Sequence, residues 1–71
     1  MPSTVIRRFD YHFEDRLLDV EFTTGRRYRY HDVPPDLVDA FRAAFSKGRY
    51  FNARIRDLYD YTELEAELTA I

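Results

Sequence analysis

Cysteine and tryptophan are both missing from this 71-residue chain, which has only 2 glycines, 3 prolines and 1 methionine. Without cysteine there is no disulfide, thiolate zinc site, iron–sulfur cluster or cysteine nucleophile, and the composition fits a reducing compartment. Two glycines are too few for the usual phosphate-cradling loop. Serine is scarce as well: Ser3 and Ser46 are the only two, and neither stands in a nucleophile-elbow or Ser-x-x-Lys context. No apolar run approaches the roughly 20 residues of a membrane-spanning helix, and the opening residues lack the apolar stretch of a signal peptide. The length leaves room for one small domain. These absences point to a soluble cytoplasmic protein with no membrane contact.

Aromatic area and charge are what the chain has. Six Tyr and six Phe, within a hydrophobic fraction of 45%, supply enough area per residue to bury a core in a short chain. The formal net charge of −2 hides an uneven distribution. Residues 1–56 hold all 11 basic residues and 8 acids, a balance of +3, whereas residues 57–71 hold five acids and no base. Within the first part, Ser46 to Arg56 carries Lys47, Arg49, Arg54 and Arg56 with no acid, interleaved with Tyr50, Phe51 and Asn52. A basic body is followed by an acidic tail.

Leu18, Val20 and Phe22 alternate with Asp19 and Glu21, the period of a half-buried strand, up to Thr23-Thr24-Gly25. The alternation resumes with Tyr28 and Tyr30 on one face and Arg27, Arg29 and His31 on the other, which predicts a hairpin centred near Gly25. Val5 to Phe13 reads as an earlier strand whose alternation breaks at Arg7-Arg8, where a bulge fits. Asp32-Val33-Pro34-Pro35 ends the sheet and starts a helix carrying Leu37, Val38, Phe41, Ala44 and Phe45 on one stripe, with Gly48 placed as its C-cap. A second short helix is predicted over Tyr50 to Leu58, with Phe51, Ile55 and Leu58 inward. Thr62-Glu63-Leu64-Glu65 reads as a capping box that opens a short acidic amphipathic helix over residues 62–71, striped by Leu64, Leu68 and Ile71. The expected fold is α+β: a three-stranded antiparallel meander (about 4–12, 17–23 and 26–32) with two or three short helices packed on one face.

The spacing Leu18, Val20, Phe22, Gly25, Tyr28-Arg29-Tyr30, Val33-Pro34, then Ser46-Lys47-Gly48-Arg49-Tyr50-Phe51-Asn52, Ile55-Arg56 and Tyr59 resembles the KTSC family. These are small domains named after the C-terminal extension of some lysyl-tRNA synthetases and also found as free-standing bacterial proteins. The resemblance covers Ser3 to Tyr61 and leaves the acidic segment from Thr62 outside. It implies no established activity; RNA binding has been suggested for the family because of the fusion to a tRNA-handling enzyme, an argument from association.

Two stretches combine cations with aromatic rings. Tyr28 and Tyr30, alternating with Arg27 and Arg29, fit a platform on which bases stack while guanidinium groups hold phosphates. They fit equally a strand whose tyrosines pack under the helices and whose arginines face solvent. In the second stretch Lys47 and Gly48 fall between two expected helices, where backbone N–H groups meet anions, and Arg49, Arg54 and Arg56 add charge-assisted donors beside Tyr50 and Asn52. There the structural reading has Ser46 or Asn52 as helix caps, Gly48 at positive φ, and Arg56 paired with Asp57 or Asp60. His12 and His31 would need Asp10, Asp32 and adjacent first and third strands to hold a metal, and no metal or other cofactor is expected. Nothing in the spacing marks an acid–base pair for a metal-free ribonuclease, so no catalytic residue is assigned. The expected role is a non-enzymatic module that contacts RNA or single-stranded nucleic acid through these basic residues, with Tyr28, Tyr30 or Tyr50 stacking. The competing expectation is a protein-interaction or self-associating module that uses the terminal helix or a strand edge.

Overall fold

A computed structural model of the chain describes residues 6–64. In chain order the elements are β1 (Ile6–His12), β2 (Leu17–Phe22), β3 (Arg27–Tyr30), α1 (Pro35–Ala43), α2 (Lys47–Arg54) and β4 (Tyr61–Leu64). The strands form one antiparallel sheet in the order β1-β2-β3-β4. The α+β class and the meander are as expected, and a fourth strand is added.

The β1–β2 register slips between Ile6 and Arg8, which places the bulge at the broken alternation. The β2–β3 turn needs Gly25, whose φ of +97° is open to glycine and unfavourable for other residues. Its N–H donates to the Phe22 carbonyl at 2.9 Å, and the Phe22 N–H donates to the Arg26 carbonyl at 2.9 Å. The connection from β3 into α1 is pinned by the Tyr11 hydroxyl, which donates to the Val33 carbonyl at 2.6 Å. The Val33 N–H donates in turn to the Arg16 carbonyl at 3.0 Å.

One face of the sheet and both helices bury the core: Leu18, Val20, Tyr30, Val33, Val38, Phe41, Phe51 and Ile55. Phe9 meets Phe41 with ring centroids 4.4 Å apart, and Phe51 sits edge-on to both Phe22 and Tyr30 at 5.4 Å. Each such side chain withdrawn from water contributes about 1.5–3 kcal/mol against chain entropy, so aromatic packing carries much of the stability of so short a chain.

Three expectations are corrected. First, α1 ends at Ala43, and Ala44 is already extended (φ −65°, ψ 138°), so the chain does not stop at a left-handed glycine. Phe45 consequently leaves the apolar stripe and is fully exposed. Second, α2 begins at Lys47, because the Ser46 hydroxyl accepts from the Arg49 N–H at 3.3 Å and caps the helix. Gly48 therefore lies in the first turn of α2, and Leu58, beyond its end, is exposed. Third, Thr62, Glu63 and Leu64 do not begin a helix. They pair with Arg29, Tyr28 and Arg27 in β4, which satisfies an edge of β3 that a helix would leave open. Tertiary pairing thus overrides a local capping signal worth about 1 kcal/mol. Leu68 and Ile71 of the expected apolar stripe lie outside the described residues.

Candidate functional site

Strand alternation gives the sheet two chemically different faces. The face away from the helices is a ladder of paired charges. Asp19 accepts from Arg29 through both oxygens, at 2.8 and 3.0 Å, and lies 3.0 Å from His12 Nε2. Glu21 accepts from Arg8 Nε at 2.8 Å and from Arg7 Nη1 at 3.4 Å. Partial burial pushes the Asp19 carboxyl up, but the hydrogen bonds and charges of Arg29 and His12 outweigh it, leaving Asp19 below the usual carboxylate value. Arg27 stands opposite Glu21 in register. β2 separates β1 from β3, and His31 Nε2 lies 2.8 Å from the Thr62 hydroxyl. Among the described residues no group of three or more His, Asp or Glu side chains is placed to hold a metal ion.

On the helix side, α2 ends at Arg54 and the chain turns away through residues 55–58, so its cover reaches Phe22 and Tyr30 through Phe51 and goes no further. What lies beyond is a cleft of about 430 Å³. Buried Tyr30 and Phe51 form its inner side; partly buried Phe22 and Tyr28 and exposed Tyr61 also line it, Tyr28 and Tyr61 edge-on to each other at 5.3 Å. Tyr61, from β4, also lies tilted against Tyr30 at 5.5 Å and is 56% exposed, so ring surface remains open to a ligand. Thr23, Thr24 and Arg26 of the β2–β3 hairpin line one part of the cleft, and Arg56 and Asp57 of the turn after α2 line another. Arg26 Nη1 reaches the Tyr28 hydroxyl and Glu63 Oε2, both at 3.5 Å. Burial pushes the Tyr30 phenol up to about 12, Tyr61 and Tyr28 add to the rise, and Arg56 opposes it.

Of the eleven residues singled out in the sequence, the structure brings three together in this cleft: Tyr28, Tyr30 and Arg56. Arg27 and Arg29 lie on the opposite face, as the alternation requires, with Arg29 held by Asp19. Lys47 donates to the Ala44 carbonyl at 2.8 Å, and Gly48 and Arg49 occupy the first turn of α2. Tyr50 stacks on Phe41 at 5.8 Å and packs against the core. Asn52 and Arg54 are exposed on α2. Sequence reasoning passed over Phe22, Thr23, Thr24, Arg26, Phe51, Asp57 and Tyr61 as cleft residues. The three hairpin residues read only as turn and strand start, and Tyr61 enters through a strand with no local signature. Neighbouring positions 56 and 57 were divided between a basic body and an acidic tail.

A sequence profile of the KTSC domain matches residues 2–61. The chain belongs to the KTSC domain family. A protein of Stutzerimonas stutzeri (strain A1501) described only as uncharacterised is 44% identical over 52 residues, which cover 73% of each chain. A lysine–tRNA ligase of Nostoc punctiforme is 34% identical over 62 residues, 87% of this chain but 11% of the ligase. The crystal structure of a KTSC domain protein from Yersinia pestis superposes with a TM-score of 0.84 at 28% identity, covering 92% of both chains. All the cleft-lining residues of this KTSC domain fall within the matched span, with Tyr61 its last residue.

Proposed function

We propose that this KTSC domain is a non-enzymatic binding module for single-stranded RNA and that the aromatic cleft is where it binds. The observation that carries the reading is the juxtaposition in one cleft of Tyr28, Tyr61 and Phe22 with two guanidinium groups, Arg26 and Arg56. Ring surfaces stack on bases at about 1–3 kcal/mol per base whatever the sequence, and guanidinium groups meet the phosphates between them. A cleft of about 430 Å³ admits one nucleotide at a time and not a duplex, which favours loops, ends and other unpaired segments. The similarity to part of a lysine–tRNA ligase, an enzyme that handles RNA, adds support by association.

Fluorescence anisotropy with labelled RNA hexamers at increasing salt tests the reading. Affinity is expected to fall as salt rises, with a slope near −0.7 per phosphate neutralised, and Arg26→Ala is expected to flatten it by about one phosphate. Absence of binding at low salt, or binding indifferent to salt, would sink the proposal.

A second reading, contact with a protein or with another copy of the chain, draws on β1, a seven-residue strand at the end of the sheet, and on Phe45, fully exposed between the helices. Light scattering on the wild type and on Phe45→Ser separates the two, since a monomer of unchanged mass in both removes the self-association form.

A further inference from the structure

At one part of the cleft an arginine and an aspartate follow one another along the chain. Arg56 and Asp57 both line the cleft, and neither side chain hydrogen-bonds or ion-pairs with another described residue. This sets them apart from Arg26, which engages Tyr28 and Glu63. Asp57 is the one acidic residue among those that line the cleft. Arg56 and Asp57 line the cleft together with Tyr30, and their charges act on its hydroxyl in opposite senses, Arg56 drawing its pKa down and Asp57 pushing it up. The turn that carries them is held by its backbone. The Ile55 and Arg56 N–H groups both donate to the Phe51 carbonyl, at 3.0 and 2.9 Å, and the Leu58 N–H donates to the Ile55 carbonyl at 3.1 Å. The pair is thus presented on a fixed loop anchored through buried Phe51 and Ile55.

A donor group next to an acceptor-only carboxylate is complementary to one base edge in particular. The Watson–Crick edge of guanine offers an acceptor, O6, followed by two donors, the N1–H and the N2 amino group. Adenine offers one donor and one acceptor there, cytosine one donor followed by two acceptors, and uracil a single donor between two acceptors. A carboxylate can accept from both guanine donors while the adjacent guanidinium donates to O6. With uracil the same carboxylate keeps one donor, N3–H, and faces the O2 carbonyl, whereas with cytosine it faces two acceptors, N3 and O2.

We infer that Arg56 and Asp57 make the cleft selective for guanine, Asp57 accepting from N1–H and the N2 amino group and Arg56 donating to O6 of a base held against Tyr28 and Tyr61. The inference rests on the cleft being a single-strand RNA site and adds which base it takes. Thr23, Thr24 and Arg26 of the hairpin are left to meet the sugar and phosphate.

The test is anisotropy at low salt with uridine hexamers whose third position is U, G, A, C or inosine, on the wild type and on Asp57→Asn. The guanosine hexamer is expected to bind about tenfold tighter than the uridine one, within the range of a single bidentate base contact, and inosine, which lacks the amino group, in between. Asp57→Asn is expected to bring the affinities of the guanosine and uridine hexamers on that variant within about twofold of each other, because an amide reads the edge differently but leaves stacking intact. Asp57 is exposed, and matching thermal melts confirm that the variant is folded. Equal affinity for all five hexamers would overturn the guanine assignment and leave the cleft reading standing. A variant that weakens every hexamer alike would do the same. No binding to any hexamer would overturn both.

Discussion

β4 is the element least visible in the sequence, and a pair of proline substitutions one residue apart tests it. The His31 N–H donates to the Asp60 carbonyl at 2.9 Å. Continuing that ladder through the β3–β4 register makes Arg29 and Thr62 a hydrogen-bonded pair, so the Thr62 N–H points at β3. The Glu63 N–H points to the outer side of the strand. Thr62→Pro removes one ladder bond, worth about 1 kcal/mol, and drives the proline ring toward β3. It also loosens the contacts of Tyr61 with Tyr28 and Tyr30, each worth about 0.5–1.5 kcal/mol. The total is about 2–4 kcal/mol, a large part of the roughly 4–10 kcal/mol that a domain of this size holds. Glu63→Pro keeps every bond to β3, asks of Thr62 only the extended backbone it already has, and loses one exposed ion pair, so it costs under about 1 kcal/mol. Thermal unfolding followed by circular dichroism is expected to show Tm lowered by about 10–25 °C for Thr62→Pro and by under about 6 °C for Glu63→Pro. If the two variants melt alike, or if Glu63→Pro is the worse, the register and the strand itself are refuted.

Phe51→Ala, at the junction of Phe22, Tyr30 and the helices, is expected to cost about 3–5 kcal/mol and Phe51→Leu about 1 kcal/mol in urea denaturation. Asp19 has a native pKa below its ordinary 3.8, so its ion pairs stabilise the fold above that value and lose their effect as pH falls below it. Tm measured from pH 5 to pH 2 is expected to drop less steeply for Asp19→Asn than for the wild type. Tyr30, raised from 10.0 to about 12 chiefly by burial, stabilises the fold below pH 10 in its neutral form. That contribution is lost as pH rises from 10 to 12, so the late phenol of Tyr30 in an ultraviolet titration should be absent in Tyr30→Phe, and alkaline unfolding of the variant should come later.

How much of this was legible in the sequence depends on whether the deciding interaction was local. The hairpin at Gly25 follows from strict alternation on both sides of a residue with positive φ, and the bulge at Arg7-Arg8 from a single break in that alternation. Tyr28 and Tyr30 were placed opposite Arg27 and Arg29 because a strand allows no other arrangement. The start of α2 was missed by three residues, since Ser46 as a cap competes with Gly48 as a stop and only packing decides between them. β4 was hidden because Thr62 to Glu65 satisfies a helix rule by itself, whereas its strand partners lie more than thirty positions earlier. The cleft was half legible: its tyrosines and Arg56 stood out as aromatic and basic, but Arg26, Asp57 and Tyr61 acquire meaning only when the hairpin, the turn after α2 and β4 meet in space.

The ladder of ion pairs on the outer sheet face also governs how the molecule meets anything charged in solution. On that side Arg29 is paired with Asp19, and Arg7 and Arg8 share Glu21, so much of their field is cancelled within a few ångströms. Arg49, Arg54 and Arg56 on the other side have no such counterions among the described side chains. The domain therefore has its ion-paired arginines on the back and, among the described residues, unpaired ones on the front. A polyanion arriving by diffusion would turn it front-first before touching, and capture rates would respond to ionic strength even where the final contact is largely stacking.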